Sequence, residues 1–105
     1  MNLGLRLALI LVLLGGTPLF AATDCSRAQT SIDRLLCSSD RLAAADQLMA
    51  IAFRDAFNRT DRREELIADQ ERWRKTVRDA CNDVPCLLRA YEDRTSELET
   101  WQGER

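Results

Sequence analysis

Four cysteines constrain this 105-residue chain more than any other feature of its sequence. They are Cys25, Cys37, Cys81 and Cys86, and an even number of cysteines in so short a chain is typical of a disulfide framework. A zinc site is the alternative, but the chain has no histidine and no Cys-x-x-Cys pair, the ligands and spacing that zinc sites commonly use. The cysteines therefore predict two disulfides, no metal site and a small domain that needs cross-links to be stable.

The first 22 residues have the organisation of a secretory signal peptide. One basic residue, Arg6, precedes an apolar run over residues 7–14, and a Gly-Gly-Thr-Pro break and two small residues, Ala21 and Ala22, follow. The apolar run is too short to cross the roughly 30 Å core of a bilayer as a helix. We expect cleavage at Ala21 or Ala22.

Cleavage divides the chain into a signal peptide, residues 1–22, and one mature domain, residues 23–105. Thr23 and Asp24 separate Cys25 from the apolar segment, whereas the lipid-bearing cysteine of a lipoprotein directly follows such a segment. We therefore expect a soluble periplasmic or secreted protein with no membrane span in the mature chain.

The charge pattern of the mature domain argues against nucleic-acid binding. Fourteen basic and 17 acidic side chains remain once Arg6 is lost, which gives a net charge of −3. The basic residues are interleaved with acids and do not form the basic stripe that nucleic acids require. This pattern is typical of a solvated surface with many salt bridges.

Four helical segments and no competing strand pattern predict an all-α fold, a small bundle of about four helices stapled by two disulfides. Capping residues and breaks suggest helices from about Thr30 to Cys37, from Ser38 or Ser39 to about Asn58, from Thr60 or Asp61 to Ala80, and from Pro85 to Trp101. Apolar spacing predicts the buried faces of the three longer helices. These faces are Leu42, Ala45, Met49, Ala52 and Ala56, widened by Leu48, Phe53 and Phe57; Leu66, Gln70, Trp73, Val77 and Ala80; and Leu87, Tyr91, Arg94, Leu98 and Trp101.

Geometry favours disulfides between neighbouring cysteines. An unbroken helix would separate Cys25 from Cys37 by about 18 Å, far beyond the roughly 7 Å limit between bridged Cα atoms, but a helix that starts at Thr30 lets the preceding residues fold back. Cys81 can reach Cys86 across the break before Pro85. Longer crossed pairings remain an alternative, because they would constrain the unfolded chain more strongly.

The ordered set of these residues resembles the LprI-like lysozyme-inhibitor family over nearly the whole mature chain. The matching positions are Cys25-x-x-Ala28, Ile32-Asp33, Cys37, Leu42, Asp46, Gln70-x-x-Trp73, Arg78-Asp79-Ala80-Cys81 and Cys86-Leu87-x-x-x-Tyr91-x-x-Arg94-x-x-x-Leu98. Asp33 departs from the family pattern, where Glu is commoner. The resemblance implies a helical, cysteine-bridged domain of the bacterial envelope that binds a protein partner, and some relatives inhibit lysozyme.

Six residues of this set form a candidate structural or binding network: Asp46, Gln70, Trp73, Arg78, Tyr91 and Arg94. Polar groups on the inner faces of helices require partners. The simplest interpretation is therefore a buried hydrogen-bond and ion-pair network, with Asp46 paired to Arg78 or Arg94 and Gln70 bridging, that fixes how the helices cross. The functional alternative is that one end of the network opens to the cleft of a partner.

Five acids are candidates for contact with a partner: Asp61, Glu64, Glu65, Asp79 and Asp83. Lysozyme is strongly cationic, so acidic side chains would steer its encounter with an inhibitor that covers its substrate cleft. The same acids are ordinary near helix ends, where the helix dipole favours negative charge.

Nothing in the sequence favours catalysis. The chain has no histidine for general base work and no nucleophile-elbow serine, and we expect its cysteines to be oxidised. We predict a protein that is not an enzyme, needs no cofactor and acts as a lysozyme inhibitor. The alternative is an interaction or stress-related module that binds another envelope protein; the sequence leaves the oligomeric state open.

Overall fold

The computed structural model describes residues 22–101, which fold into four α-helices with no strand among them. The predicted all-α fold is therefore confirmed. The helices are α1 (Ser31–Cys37), α2 (Asp40–Arg59), α3 (Arg63–Thr76) and α4 (Val84–Glu99), with 3-10 turns at Cys25–Arg27 and Arg78–Ala80. The predicted signal peptide lies outside the described residues except for Ala22.

Side-chain caps start three of the four helices, and the sequence predicts the caps of the first two. The Thr30 hydroxyl accepts a hydrogen bond from the Asp33 amide at 3.0 Å, and the Ser39 hydroxyl accepts one from the Leu42 amide at 3.3 Å. The Asp83 carboxylate does the same for the Cys86 amide at 2.9 Å. Each cap satisfies a backbone N–H that has no partner within its own helix.

The bounds predicted for the third helix were wrong at both ends. The Arg62 amide donates to the Thr60 hydroxyl at 3.0 Å, and this local turn delays the start of α3 until Arg63. The helix ends at Thr76 and the chain continues as a 3-10 turn to Ala80. Val77 is consequently exposed instead of buried. The turn brings the chain round to Cys81, and a longer helix would carry that cysteine away from α4.

Both predicted disulfides are present. Cys25 bonds to Cys37 with a Cα–Cα distance of 5.6 Å, and Cys81 bonds to Cys86 with one of 5.5 Å. The first ties the N-terminal 3-10 turn to the end of α1, and the second ties the segment after α3 to the first turn of α4. Cys81 is buried whereas Cys25 is exposed, so the two bonds lie in different surroundings.

Helices α2 and α4 pack side by side along much of their length and form the centre of the bundle. They run parallel, because Arg59 at the end of α2 donates to the Leu98 carbonyl at the end of α4 at 2.8 Å. The core between the helices consists mainly of Leu36, Leu42, Phe53, Ala56, Leu66, Trp73, Leu87, Tyr91 and Leu98. No helix among the described residues is long and apolar enough to cross a membrane.

Candidate functional site

Asp46 lies at the centre of a buried polar cluster that also contains Tyr91 and Arg78. It occupies the inner face of α2, where only 5% of its surface is exposed, and its carboxylate accepts a hydrogen bond from the Thr23 amide at 2.7 Å. The Tyr91 hydroxyl interacts with both Asp46 and Arg78. Arg78 in turn donates to the Asp79 carboxylate at 2.9 Å. The Asp46 cluster therefore connects the segment before α1, α2, the second 3-10 turn and α4.

The environment of Tyr91 keeps its phenol protonated. Burial raises the pKa of Tyr91 far above its ordinary value of 10.0, and the negative charge of Asp46 raises this pKa further, while Arg78 opposes the shift. The phenol is therefore a neutral hydrogen-bond donor throughout the physiological pH range. Its ring meets Trp73 edge to face, with ring centroids 5.3 Å apart, an arrangement that adds to the stability gained by burial.

Arg94 organises a second cluster about one turn after Tyr91 on the same buried face of α4. Only 4% of its surface is exposed, and it donates to Gln70 at 2.9 Å and contacts Asp69 and Glu97 at 2.9 and 3.1 Å. The Gln70 amide nitrogen contacts the Met49 sulfur at 3.1 Å. One buried Arg94 nitrogen, Nη2, has no hydrogen-bond partner among residues 22–101. The Arg94 cluster joins α2, α3 and α4.

The six predicted network residues thus divide between two clusters. Asp46 interacts with Arg78 through Tyr91, whereas Gln70 binds Arg94 and does not bridge to Asp46. Trp73 contributes an aromatic contact to Tyr91. Each cluster connects several helices and has little solvent access at its centre, so its geometry suits a structural role. No group of histidine, cysteine or acidic side chains in residues 22–101 could hold a metal ion.

The predicted partner-facing acids near the α2–α3 turn are all exposed. Arg62 forms an ion pair with Glu65 at 2.9 Å. Asp61 and Glu64 have no cationic partner within the described part of the chain. The turn that carries them is well held, because Arg63 donates to the Phe57 carbonyl at 2.8 Å and its guanidinium lies 4.7 Å from the Phe57 ring centroid.

The two acids beside the second disulfide are already engaged within the chain. Asp79 pairs with Arg78 at 2.9 Å and with Arg74 at 3.7 Å. Asp83 is the N-cap of α4 and binds the amide of Cys86. Their charge is partly compensated, so Asp61 and Glu64 in the α2–α3 turn are the more available carboxylates.

A surface groove lies between α2 and α4, and the sequence did not predict it. The groove contains two adjoining cavities of about 430 and 220 Å³ that share Leu48, Thr95 and Glu99. Leu48 was predicted to be part of the core, but it lies in the wall of the groove and is 60% exposed. The buried stripe of α2 is narrower than the apolar residues of that helix suggest. The spacing of Leu48 from Ala44 and Ile51 is the signal that could have indicated a second apolar face.

Comparison of the chain with protein-family models, curated proteins and solved structures finds no match in any of the three.

Proposed function

We propose that this protein is exported to the periplasm or beyond, and that it binds and inhibits a lysozyme-type muramidase without being an enzyme itself. The resemblance to the LprI-like lysozyme-inhibitor family supports the target. Two disulfides support an oxidising compartment, where such bonds form and persist. The small cross-linked bundle suits a rigid binding surface, since rigidity lowers the entropy lost on association.

The observation that carries the proposal is a pair of exposed, unpaired carboxylates at the α2–α3 turn. Asp61 and Glu64 are exposed and lack cationic partners, and the contacts of Arg62 and Arg63 hold the turn in place. Arg62 and Arg63 in the same turn offset the negative charge at distances near the Debye length of about 10 Å at 0.1 M salt, so the two carboxylates would attract cationic groups of the enzyme at short range. The turn would then lie across the substrate cleft, so inhibition would result from steric exclusion of peptidoglycan.

Lysis of a peptidoglycan suspension by several lysozyme types tests the proposal. The oxidised mature protein is expected to slow lysis in a dose-dependent manner, and the inhibition should weaken as ionic strength rises because salt screens exposed charges. A chemically reduced sample should inhibit less, because the two disulfides stabilise the small bundle. No inhibition of any lysozyme type by the folded, oxidised protein would refute the proposed target.

Paired variants identify the surface that makes the contact. Asp61→Asn combined with Glu64→Gln should weaken inhibition while the protein remains folded. Asp40→Asn combined with Asp93→Asn removes the same charge from exposed acids on α2 and α4 and should leave inhibition nearly unchanged. If both variants lost inhibition equally, the effect would be due to net charge, and the α2–α3 turn would be excluded as the binding surface.

The alternative function, an interaction module for another envelope protein, makes a different prediction. Lysozyme would then be unaffected, and cross-linking in periplasmic extract would attach a different protein to the oxidised chain.

A further inference from the structure

The outer face of α2 carries a stripe with the spacing of a helix–helix interface. Arg41, Ala44, Leu48, Ile51 and Asp55 follow one another at alternating intervals of three and four residues, the spacing that keeps side chains on one side of a helix and forms the seam of coiled coils. All five line the α2–α4 groove. The first and last of these residues are 14 positions apart, which corresponds to about 21 Å of helix.

The middle of this stripe is apolar and open to solvent. Leu48 is 60% exposed and Ile51 is 44% exposed, and they are two of the four large apolar residues that are exposed in the described part of the chain. Leu88 of α4 extends the apolar surface to the other wall of the groove. Contiguous apolar surface of this kind marks an interaction site more often than isolated exposed residues do.

We propose that the α2–α4 groove is a homodimer interface, in which the α2 helix of a second copy of this chain lies antiparallel along it, with a two-fold axis passing near Leu48. A two-fold interface uses the same patch on both copies and must therefore be complementary to itself. The charges and the side-chain sizes along the stripe both satisfy this requirement.

The charges at the two ends of the stripe are opposite and equally spaced from its centre. Arg41 lies seven residues before Leu48 and Asp55 lies seven residues after it, so an antiparallel two-fold arrangement brings Arg41 of each copy to Asp55 of the other. Arg41 forms no ion pair within residues 22–101, and Asp55 pairs with its exposed neighbour Arg54. Arg59 and Glu99 also line the groove at the Asp55 end, and their opposite charges offset each other.

The side-chain sizes are complementary in the same way. Ala45, which lines the groove beside the stripe, lies three residues before the proposed axis, and Ile51 lies three residues after it. The two-fold operation therefore places the small side chain of one copy against the large side chain of the other. Leu48 would insert between α2 and α4 of the second copy, where the larger cavity has a volume of about 430 Å³. This alternation of small and large residues allows close packing.

The dimer does not depend on the proposed lysozyme target. Asp61 and Glu64 do not line the groove, so both carboxylates would stay available in each copy. Failure of inhibition and failure of dimerisation are therefore separate outcomes, measured on the same oxidised protein.

Sedimentation equilibrium of the oxidised mature protein over a wide concentration range tests the inference. The wild-type protein is expected to form a dimer and Leu48→Glu a monomer with unchanged helical circular dichroism, because Leu48 is mostly exposed within one copy. Ile67→Glu is the matched control: Ile67 is 40% exposed on α3, outside the groove, and its replacement should leave the dimer intact.

A charge exchange between two variants tests the antiparallel register. Arg41→Glu and Asp55→Arg should each weaken self-association by about ten-fold or more at low salt, because each places like charges together at both ends of the interface. Mixing the two variants should restore dimerisation, because both ends of the mixed dimer then pair opposite charges. A salt bridge within one copy could not produce this recovery.

Three results would overturn the inference. The first is a wild-type protein that stays monomeric up to its solubility limit, which would leave the groove to a different protein or to a small apolar ligand. The second is a dimer that survives Leu48→Glu, which would place the interface elsewhere. The third is a mixture of the charge variants that dimerises no better than either variant alone, which would exclude the antiparallel arrangement.

Discussion

Replacing Tyr91 with phenylalanine isolates the contribution of one buried hydroxyl to stability. Tyr91 is 1% exposed, and its hydroxyl interacts with the carboxylate of Asp46 and the guanidinium of Arg78. Tyr91→Phe removes only the oxygen and keeps the edge-to-face contact with Trp73. Any loss of stability therefore measures the polar interactions and not the packing of the ring.

The expected loss of stability follows from the charged groups that the Tyr91 hydroxyl contacts. Hydrogen bonds to charged groups contribute about 1.5–3 kcal/mol each, and a phenylalanine would leave Asp46 with one donor fewer in a site where only 5% of its surface is exposed. We expect the free energy of unfolding to fall by about 2 kcal/mol. In a domain of this size that corresponds to a decrease in Tm of roughly 8–16 °C.

Urea denaturation followed by far-ultraviolet circular dichroism measures this cost. All variants should be compared at one protein concentration, because dimerisation would make apparent stability depend on concentration. Asp46→Asn and the double variant complete a mutant cycle. The sum of the two single costs should exceed the cost of the double variant, with a coupling energy of about 1 kcal/mol or more, because each substitution removes the interaction between the phenol and a charged carboxylate.

Two results would refute this reasoning. A cost below about 0.5 kcal/mol for Tyr91→Phe, the range typical of surface substitutions, would mean that the hydroxyl does not bridge two charged groups. Costs that add within error would mean that the hydroxyl and Asp46 do not interact.

Three further predictions concern the cross-links, the core and the response to acid. Replacing Cys25 and Cys37 together with serine should lower the free energy of unfolding by about 3 kcal/mol, from the loop entropy restored to the unfolded chain; a urea midpoint equal to that of the wild type would contradict this. Leu66→Ala should cost about 3–4 kcal/mol in the same assay because Leu66 is fully buried, whereas Ile67→Ala, at an exposed neighbour, should cost less than about 0.5 kcal/mol; equal costs would contradict the burial pattern. A hydrogen bond from Arg74 lowers the pKa of Glu71 below its ordinary value of 4.5. The contribution of this pair to folding stability is therefore present above pH 4.5 and is lost as the pH falls through the lowered pKa. Glu71→Gln should slightly flatten the decline of stability in acid, and an unchanged acid profile would argue against this contribution.

The sequence predicted those parts of the fold that depend on neighbouring residues. Thr30 and Ser39 are helix caps whose partners lie three residues away, so short-range spacing was sufficient to predict them. Asp83 caps α4 in the same way, but the sequence led us to predict it only as a partner-facing or ordinary helix-end acid. The pairing of Cys81 with Cys86 was likewise accessible because five residues separate them. The bounds predicted for the third helix were wrong at both ends. A turn at Thr60 delays its start, and a 3-10 turn before the disulfide-bonded Cys81 ends it early, although the apolar spacing continues through the second turn.

The sequence by itself determined the helical fold, the cysteine framework and which polar residues must be partnered inside, because periodicity, capping and the cost of burying unpaired groups act on any chain with this pattern. Only the tertiary structure decided which partners those residues take. Asp46 interacts with Tyr91, and Arg94 with Gln70, because the relative position of helices distant in sequence depends on how all their side chains pack together. The exposure of Leu48 also depends on this packing. Helix α2 has apolar residues over a wider part of its surface than the part that contacts α4, so Leu48 remains exposed.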